Sequence, residues 1–346
     1  MNADNTLDAV DACLASARRG AQWLLDQQTA GGKWRQVEPD VYDAYYKGSW
    51  SLAAAGHLDA AHRLLAHVRS AFLGADGDLE PRLSPLHTTI ARHYASAYAV
   101  LGAQKLDRYD IAAPAARFLL SQQDPDHGGF YSVRMRPGER GRSDSMSTSM
   151  CGVACLAAGQ TAAALRAGDY LLRMVELQPA PDDRFYASLD AEGRLVTDFP
   201  PELTEWRVVQ AEQPNQRWFA VGLPFAFAIL LIESTREKRF AELADWLFAF
   251  QARGAEPWDV PSSGKAGWAC SILFRETGEL GYREIALRVA RQIMGYQTPA
   301  GYFLLGAAPG APSEPVVYPP FVYDVTAEFV LWLTLIASNV LARDGE

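Results

Sequence analysis

The chain has 346 residues, 49% of them hydrophobic, with a formal net charge of -9 and a pI near 5.3. That acidic balance argues against a nucleic-acid surface, which draws its affinity from clustered Lys and Arg, and it serves solubility instead. The opening MNADNTLDAVDACLASARRG lacks the basic-then-apolar order of a secretory leader, and its Asp residues disfavour a transit peptide, so a cytoplasmic protein is expected.

One pattern recurs: an amphipathic helix, a Gln near its end, a turn containing Gly, Asp or Pro, an aromatic residue, then a more apolar helix. The first copy runs through AQWLLDQQTAGGKW to Trp34 and is followed by VYDAYYKGSWSLAAAG near Asp43. A degenerate second copy ends at Leu79 and precedes TTIARHYASAYAVLGAQ near His93. The third, ARFLLSQQDPDHGGF to Phe130, leads into SMSTSMCGVACLAAG near Ser147. The fourth ends at Phe185 and, after a long connection, gives NQRWFAVGLPFAFAILLIES near Trp218. The fifth joins WLFAFQARGAEPW, ending at Trp258, to GKAGWACSILFRETG near Trp268. The sixth joins ARQIMGYQTPAGYF, ending at Phe303, to YDVTAEFVLWLTLIASN near Asp324.

Helices with one apolar stripe lie outside and helices apolar all round lie inside. Six such pairs predict an all-α fold, an (α/α)6 toroid of six helical hairpins forming one domain over 1–346, with long loops at one end. Gly31-Gly32 and Gly128-Gly129 supply the positive φ that ends a helix. Because the hairpins are antiparallel, every Gln-Gly-aromatic turn falls at the end of the ring where the inner helices begin, and chemistry belongs there. Long connections reach the same end: Tyr131 to Asp144, Tyr186 to Gln213 with a small hairpin around Glu192-Gly193, and Leu304 to Phe321. Cys13, Cys151, Cys155 and Cys270 are too few and scattered for a disulfide framework and read as reduced core thiols. The stretch from Val221 to Ile232 is too short to span a bilayer and reads as a buried helix.

These repeats resemble the terpene cyclase and protein prenyltransferase toroid superfamily, whose Gln- and Trp-bearing turns look like QQTAGGKW and QQDPDHGGF. The segment Asp324-Val325-Thr326-Ala327-Glu328 is similar to the DCTAE segment of oxidosqualene cyclases. The resemblance implies that Asp324 is the general acid that starts cyclisation; Val325 stands where that family has a supporting Cys. No Asp-x-Cys opens an inner helix in the manner of the prenyltransferase zinc site, and no motif names a cofactor.

As an acid, Asp324 needs an apolar pocket, for which Tyr323, Phe321 and Trp268 are candidates; as a helix cap it needs only backbone N–H groups. Near the first inner helix lie Asp40, Asp43, Tyr45, Tyr46 and Lys47. Asp43 and Lys47 either form an i, i+4 pair or turn to the cavity, with Asp43 as a second acid or base and Tyr46 as a proton donor. His93, with His87 before it, suits proton transfer or a core hydrogen bond. Gln213, Gln216, Arg217 and Trp218 serve as substrate contacts or as caps, and Arg134, Arg136, Arg140 and Arg142 attract an anion or form a solvated loop.

Three functions follow from this reading. The first is an enzyme that cyclises or isomerises a mostly apolar small molecule, with Asp324 as acid and with Tyr45, Tyr46, Trp50, Trp218, Trp268 and Tyr323 sheltering cations. The second is a carbohydrate-active hydrolase, lyase or epimerase using Asp43, His93, Glu212, Gln216 and Arg217. The third is a non-catalytic binding ring. The expected partner is a small-molecule substrate, with no nucleic acid and no membrane span; the rim loops either close over it or pair with a second copy as a homodimer.

Overall fold

The computed structural model describes residues 3–37, 42–80, 90–305 and 319–344. Asp40, His87 and the Pro-rich stretch 306–318 lie outside the described residues. In chain order the long helices are α1 (Ala3–Gln27), α2 (Gly48–Ala54), α3 (Leu58–Phe72), α4 (Arg92–Lys105), α5 (Tyr109–Ser121) and α6 (Ser145–Ala157). They continue as α7 (Thr161–Glu176), α8 (Phe219–Thr235), α9 (Arg239–Ala252), α10 (Gly264–Thr277), α11 (Leu280–Met294) and α12 (Pro319–Asp344).

Even-numbered helices form the inner ring, in the order α2, α4, α6, α8, α10, α12 and back to α2; odd-numbered helices pack around them. The α1 helix lies against α12, so the start of the chain covers its end. This is the expected α/α toroid. Inner helices touch protein on every side, which is why α8 is apolar all round. By length and composition the 25 residues Pro319–Arg343 of α12 could cross a membrane, yet 67% of their most apolar stretch is buried in the ring. Length alone therefore does not separate an inner toroid helix from a membrane span.

The recurring turn is a latch with conserved geometry from copy to copy. Gln28, Gln123 and Gln297 each donate from Nε2 to a backbone carbonyl of the next outer helix: Ala60 at 3.0 Å, Ala163 at 2.9 Å and Ser16 at 2.9 Å. Three residues beyond each carbonyl, Arg63, Arg166 and Arg19 donate back to the glutamine Oε1. The following aromatic residue gives its backbone N–H to a hydroxyl on the next inner helix region: Trp34 to Tyr45 at 3.2 Å, Phe130 to Thr148 at 2.9 Å and Phe303 to Thr326 at 3.1 Å. The last of these latches grips α1 and so closes the ring.

Each latch turn also presses against that neighbouring helix. At Gly32, with φ of +88°, an added Cβ would sit 2.0 Å from the Arg63 carbonyl oxygen; at Gly128, with φ of +79°, the distance to the Arg166 oxygen is 2.4 Å. Gly31, in the same turn as Gly32, has open space around it.

The long connections carry four short strands: β1 (Ser143–Asp144), β2 (Arg184–Tyr186), β3 (Ser188–Leu189) and β4 (Val208–Gln210). The expected tight turn at Glu192-Gly193 is present, closed by a bridge between Leu189 and Leu195. Its flanking strands pair elsewhere, β3 with β1 and β2 with β4, which ties the rim loops to one another. All four cysteines are buried and free.

Gly32→Ala is expected to cost about 2 kcal/mol, because the backbone is both left-handed and in contact with Arg63. Gly31→Ala should stay within about 0.5 kcal/mol. Urea unfolding of the two variants checks this; equal losses would contradict the latch geometry.

Candidate active site

The sixth inner helix shows how the Asp-Val-Thr-Ala-Glu segment divides its work. Thr326 faces outward and completes a latch, while Asp324 and Glu328, one helical turn apart, both meet Lys47 at the start of α2. Lys47 Nζ is 2.9 Å from Asp324 Oδ2 and also donates to Glu328 Oε2. Lys265, in the first turn of α10, donates to the other oxygen of Glu328, Oε1, which also accepts Trp332 Nε1–H at 3.0 Å. The result is a row of four charged groups, Lys265, Glu328, Lys47 and Asp324, drawn from three inner helices.

Two of the chain's five lysines are thus buried at one place. The lysine side chains are 3% and 5% exposed and those of Asp324 and Glu328 15% and 17%, so all four charged groups are largely withdrawn from solvent. Around them lie three tyrosines and three tryptophans. Tyr46, Tyr94 and Tyr98 pack edge to face, with Tyr94 and Tyr98 hydroxyls 3.1 Å apart. Trp50, Trp268 and Trp332 form a second group, joined to the first by the 5.6 Å contact of Trp50 with Tyr98. Lys47 Nζ lies 4.9 Å from the Tyr46 ring, and Lys265 Nζ lies 5.4 to 5.8 Å from Trp332, Phe219 and Tyr94. Such cation–π contacts offset part of the cost of burying an ammonium.

The charges perturb one another in opposite directions. For Glu328 burial acts to raise the pKa, but Lys265 and Lys47 outweigh it and hold the carboxyl far below its usual range. Lys47 also loses affinity for its proton by burial, and Asp324 and Glu328 more than restore it, so its pKa is raised. Lys265 is the exception: burial dominates, Lys47 repels it, and its pKa is lowered. Tyr46, Tyr94 and Tyr98 are pushed well above the usual phenol value by burial and then by the nearby carboxylates, so they remain neutral.

Among the residues singled out from sequence, Asp324, Lys47, Tyr46, Trp50 and Trp268 come together here. Asp324 is not a helix cap, because α12 begins at Pro319 and places it in the second turn. Lys47 pairs across the ring seam with Asp324 and Glu328 rather than with Asp43, which is buried in the helical turn Tyr42–Ala44. Tyr45 stacks on Trp34 and belongs to the first latch. Tyr323 lies flat on Trp34 at 5.3 Å and donates to the Arg35 carbonyl at 2.6 Å. Phe321, offered as part of the pocket for Asp324, is exposed.

His93 is held elsewhere, with Nε2 3.2 Å from the Val133 carbonyl and its ring beside Phe118 of the outer helix α5. Trp218 is fully buried against Phe250. Gln213 is exposed in a turn, Gln216 accepts the Gln210 N–H, and Arg217 pairs with Glu205 while covering the Trp206 ring. In the basic loop, Arg134 is bound by Asp76 and Asp78, and Arg140 by Asp124 and Asp126; these arginines fasten the loop to the neighbouring turns.

Sequence reasoning missed Lys265, Tyr94, Tyr98, Trp332 and the role of Glu328. A signal was present: Lys47 and Trp50 open one inner helix, and Lys265 and Trp268 open another, with the same i, i+3 spacing.

No family model matches the chain, and no curated protein matches it in sequence. Solved structures place it in the class of α/α toroids. A D-mannose isomerase matches with a TM-score of 0.65 at 11% identity, covering 92% of this chain and 96% of that one. An α-1,6-mannanase of Salegentibacter sp. HEL1_6, bound to α-1,6-mannotriose, gives 0.65 at 12% identity over 94% and 99%. A type II terpene cyclase from Scytonema, bound to merosterolic acid A, gives 0.58 at 12% identity over 96% and 99%. At such identities the likeness establishes the fold, which hosts unrelated chemistries.

Glu328→Gln leaves two buried ammonium groups with Asp324 alone and is expected to cost about 3–5 kcal/mol at neutral pH. Because the folded-state pKa of Glu328 is depressed, its stabilisation is present above the ordinary value of 4.5 and is lost as pH falls below it. Denaturant unfolding from neutral to acid pH should therefore show the gap between wild type and variant narrowing. A constant gap would contradict the assigned ion pairs. Lys265→Met, which removes a cation that burial disfavours, should cost far less.

Proposed function

We propose that the chain is an enzyme that cyclises or isomerises a mostly apolar, isoprenoid-like small molecule by moving a proton at the ring centre, with Asp324 as the acid. The observation that carries this reading is the enclosure of Asp324 and its ionic partners by six aromatic rings. Proton transfer from the Asp324 carboxyl to an alkene carbon creates a carbocation, and the π-faces of Tyr46, Trp50, Trp268 and Trp332 stabilise positive charge without reacting with it. The neutral phenols of Tyr94 and Tyr98 add hydrogen bonding at low nucleophilicity. Lys47 fixes Asp324 in one orientation, the positioning that general acid catalysis requires, but the ion pair favours the carboxylate; Asp324 acts as the acid in the fraction of molecules in which it is protonated, so turnover rises as pH falls.

A carbohydrate-active enzyme is the second reading, favoured by the mannose-processing activities named for two of the structural neighbours. The residues that sequence offered for it do not converge: His93 is bound to Val133, Glu212 is exposed and Arg217 is paired with Glu205. Asp324 and Glu328 share Lys47 from one face of one helix, whereas a glycosidase needs two carboxyls on opposite sides of the scissile bond.

The test is incubation of the purified chain with a panel of acyclic isoprenoid alkenes and, separately, free aldoses and mannosides, with products read by mass spectrometry and NMR. Turnover of an isoprenoid is expected, falling by about 100-fold or more in Asp324→Asn while the helical circular dichroism is unchanged. Turnover confined to the sugars would favour the second reading. Undiminished isoprenoid turnover in Asp324→Asn would remove the assigned acid.

A further inference from the structure

The starts of α6 and α8 frame a second polar feature beside the charged row. Between them lies a small cavity, with room for about one water-sized group. Its apolar walls are Ile90, Met146, Trp206 and Phe219, and its polar lining is Asp144 and Ser145. Phe219 is also 5.7 Å from Lys265 Nζ, so this cavity and the charged row share a wall. We infer that the cavity receives a neutral hydroxyl group of the substrate. Under the isoprenoid reading above, on which this rests, the substrate is therefore an isoprenoid alcohol.

Two buried charges beside the cavity, Asp144 at 4% exposure and Arg207 at 3%, lack an ion-pair partner among the described residues. Asp144 Oδ1 accepts the Ser147 N–H at 2.7 Å, which caps α6, and Oδ2 accepts from Ser132 Oγ at 2.6 Å; both donors are neutral. Arg207 Nη1 donates to Ser188 Oγ at 2.8 Å, and its Nε has no hydrogen-bond partner among the described residues. The β1–β3 ladder sets Ser188 directly opposite Asp144, so the two side chains stand on one face of it. Arg207 is thus held near Asp144, within reach of its field though not of an ion pair. Its carbonyl accepts the N–H of Ala187, which lines the cavity together with the preceding residue, Trp206. Burial raises the Asp144 pKa and lowers that of Arg207, and their mutual attraction does not reverse either shift.

A helix cap alone does not account for this arrangement, because a buried guanidinium without a carboxylate is costly. A hydroxyl answers both groups: it donates to Asp144 while its oxygen accepts from Arg207. An ammonium would suit Asp144 and be repelled by Arg207; a carboxylate or phosphate would do the reverse. The walls then choose among alcohols. Ser145 Oγ is already spent on the Ala220 carbonyl at 3.1 Å, so the remaining lining offers contact to an isoprenoid chain and few partners to the further hydroxyls of a sugar.

Isothermal titration of the purified chain with farnesol, farnesene and farnesoic acid, which share one apolar chain, and with methyl α-mannoside tests this. Farnesol is expected to bind about tenfold or more tightly than farnesene or farnesoic acid. Asp144→Asn keeps a side-chain oxygen for the Ser147 N–H, and hence the cap, but loses the charge. It should cut the preference for farnesol over farnesene about tenfold and strengthen the binding of farnesoic acid. Arg207→Lys, which retains a positive charge without the Nε donor, should cut that preference as well. Equal binding of farnesol and farnesene by the wild type, or a preference that Asp144→Asn leaves intact, would overturn the hydroxyl site. Binding of methyl α-mannoside alone, weakened in Asp144→Asn, would uphold the hydroxyl site and overturn the isoprenoid reading.

Discussion

The contact on which the rest of this structure depends is the ammonium of Lys47, shared between Asp324 and Glu328. It joins the first inner helix to the last, at the seam where an α/α ring must close. Burying these groups is costly, and removing one partner of a buried pair is costlier than removing both. The cluster thus ties closure of the ring to correct assembly of its centre. Aromatic side chains complete the arrangement, because their faces accept cations while their bodies fill the core.

The periphery uses a different and more regular device. Three turns repeat one set of bonds: glutamine to the next outer helix, arginine back to the glutamine, and aromatic N–H to a hydroxyl ahead. Each bond is worth only about 1 kcal/mol net, but each latch couples consecutive hairpins, so the contributions reinforce one another around the ring. After α7 and α9, Gln178 and Gln251 bond within their own turns instead, Gln178 to the Met174 and Tyr186 carbonyls and Gln251 to the Pro257 carbonyl.

This difference explains what sequence could reveal. The toroid was legible because the latch recurs with fixed local spacing and because inner helices such as α8 are apolar on all sides. The site was legible only in part. Asp324 stood out through its motif, but its partner Lys47 is 277 positions away, and the choice between Asp43 and Asp324 depends on how α2 is rotated against α12. Lys265 gave only the spacing it shares with Lys47, since nothing local tells a buried lysine from a solvated one. Tyr45, Trp218 and Tyr323 were offered as cavity residues because each opens or precedes an inner helix, yet they pack against the latches and the outer layer.

The account rests on the claim that Lys47 and the α12 carboxylates form one coupled unit at the ring seam. A double-mutant cycle on urea unfolding, with Lys47→Met, Glu328→Met and the pair combined, measures that coupling most directly. The account predicts that the double variant is less destabilised than the sum of the two single variants by about 2 kcal/mol or more. Additivity within about 0.5 kcal/mol would contradict it, because the two side chains would then contribute to stability independently of one another.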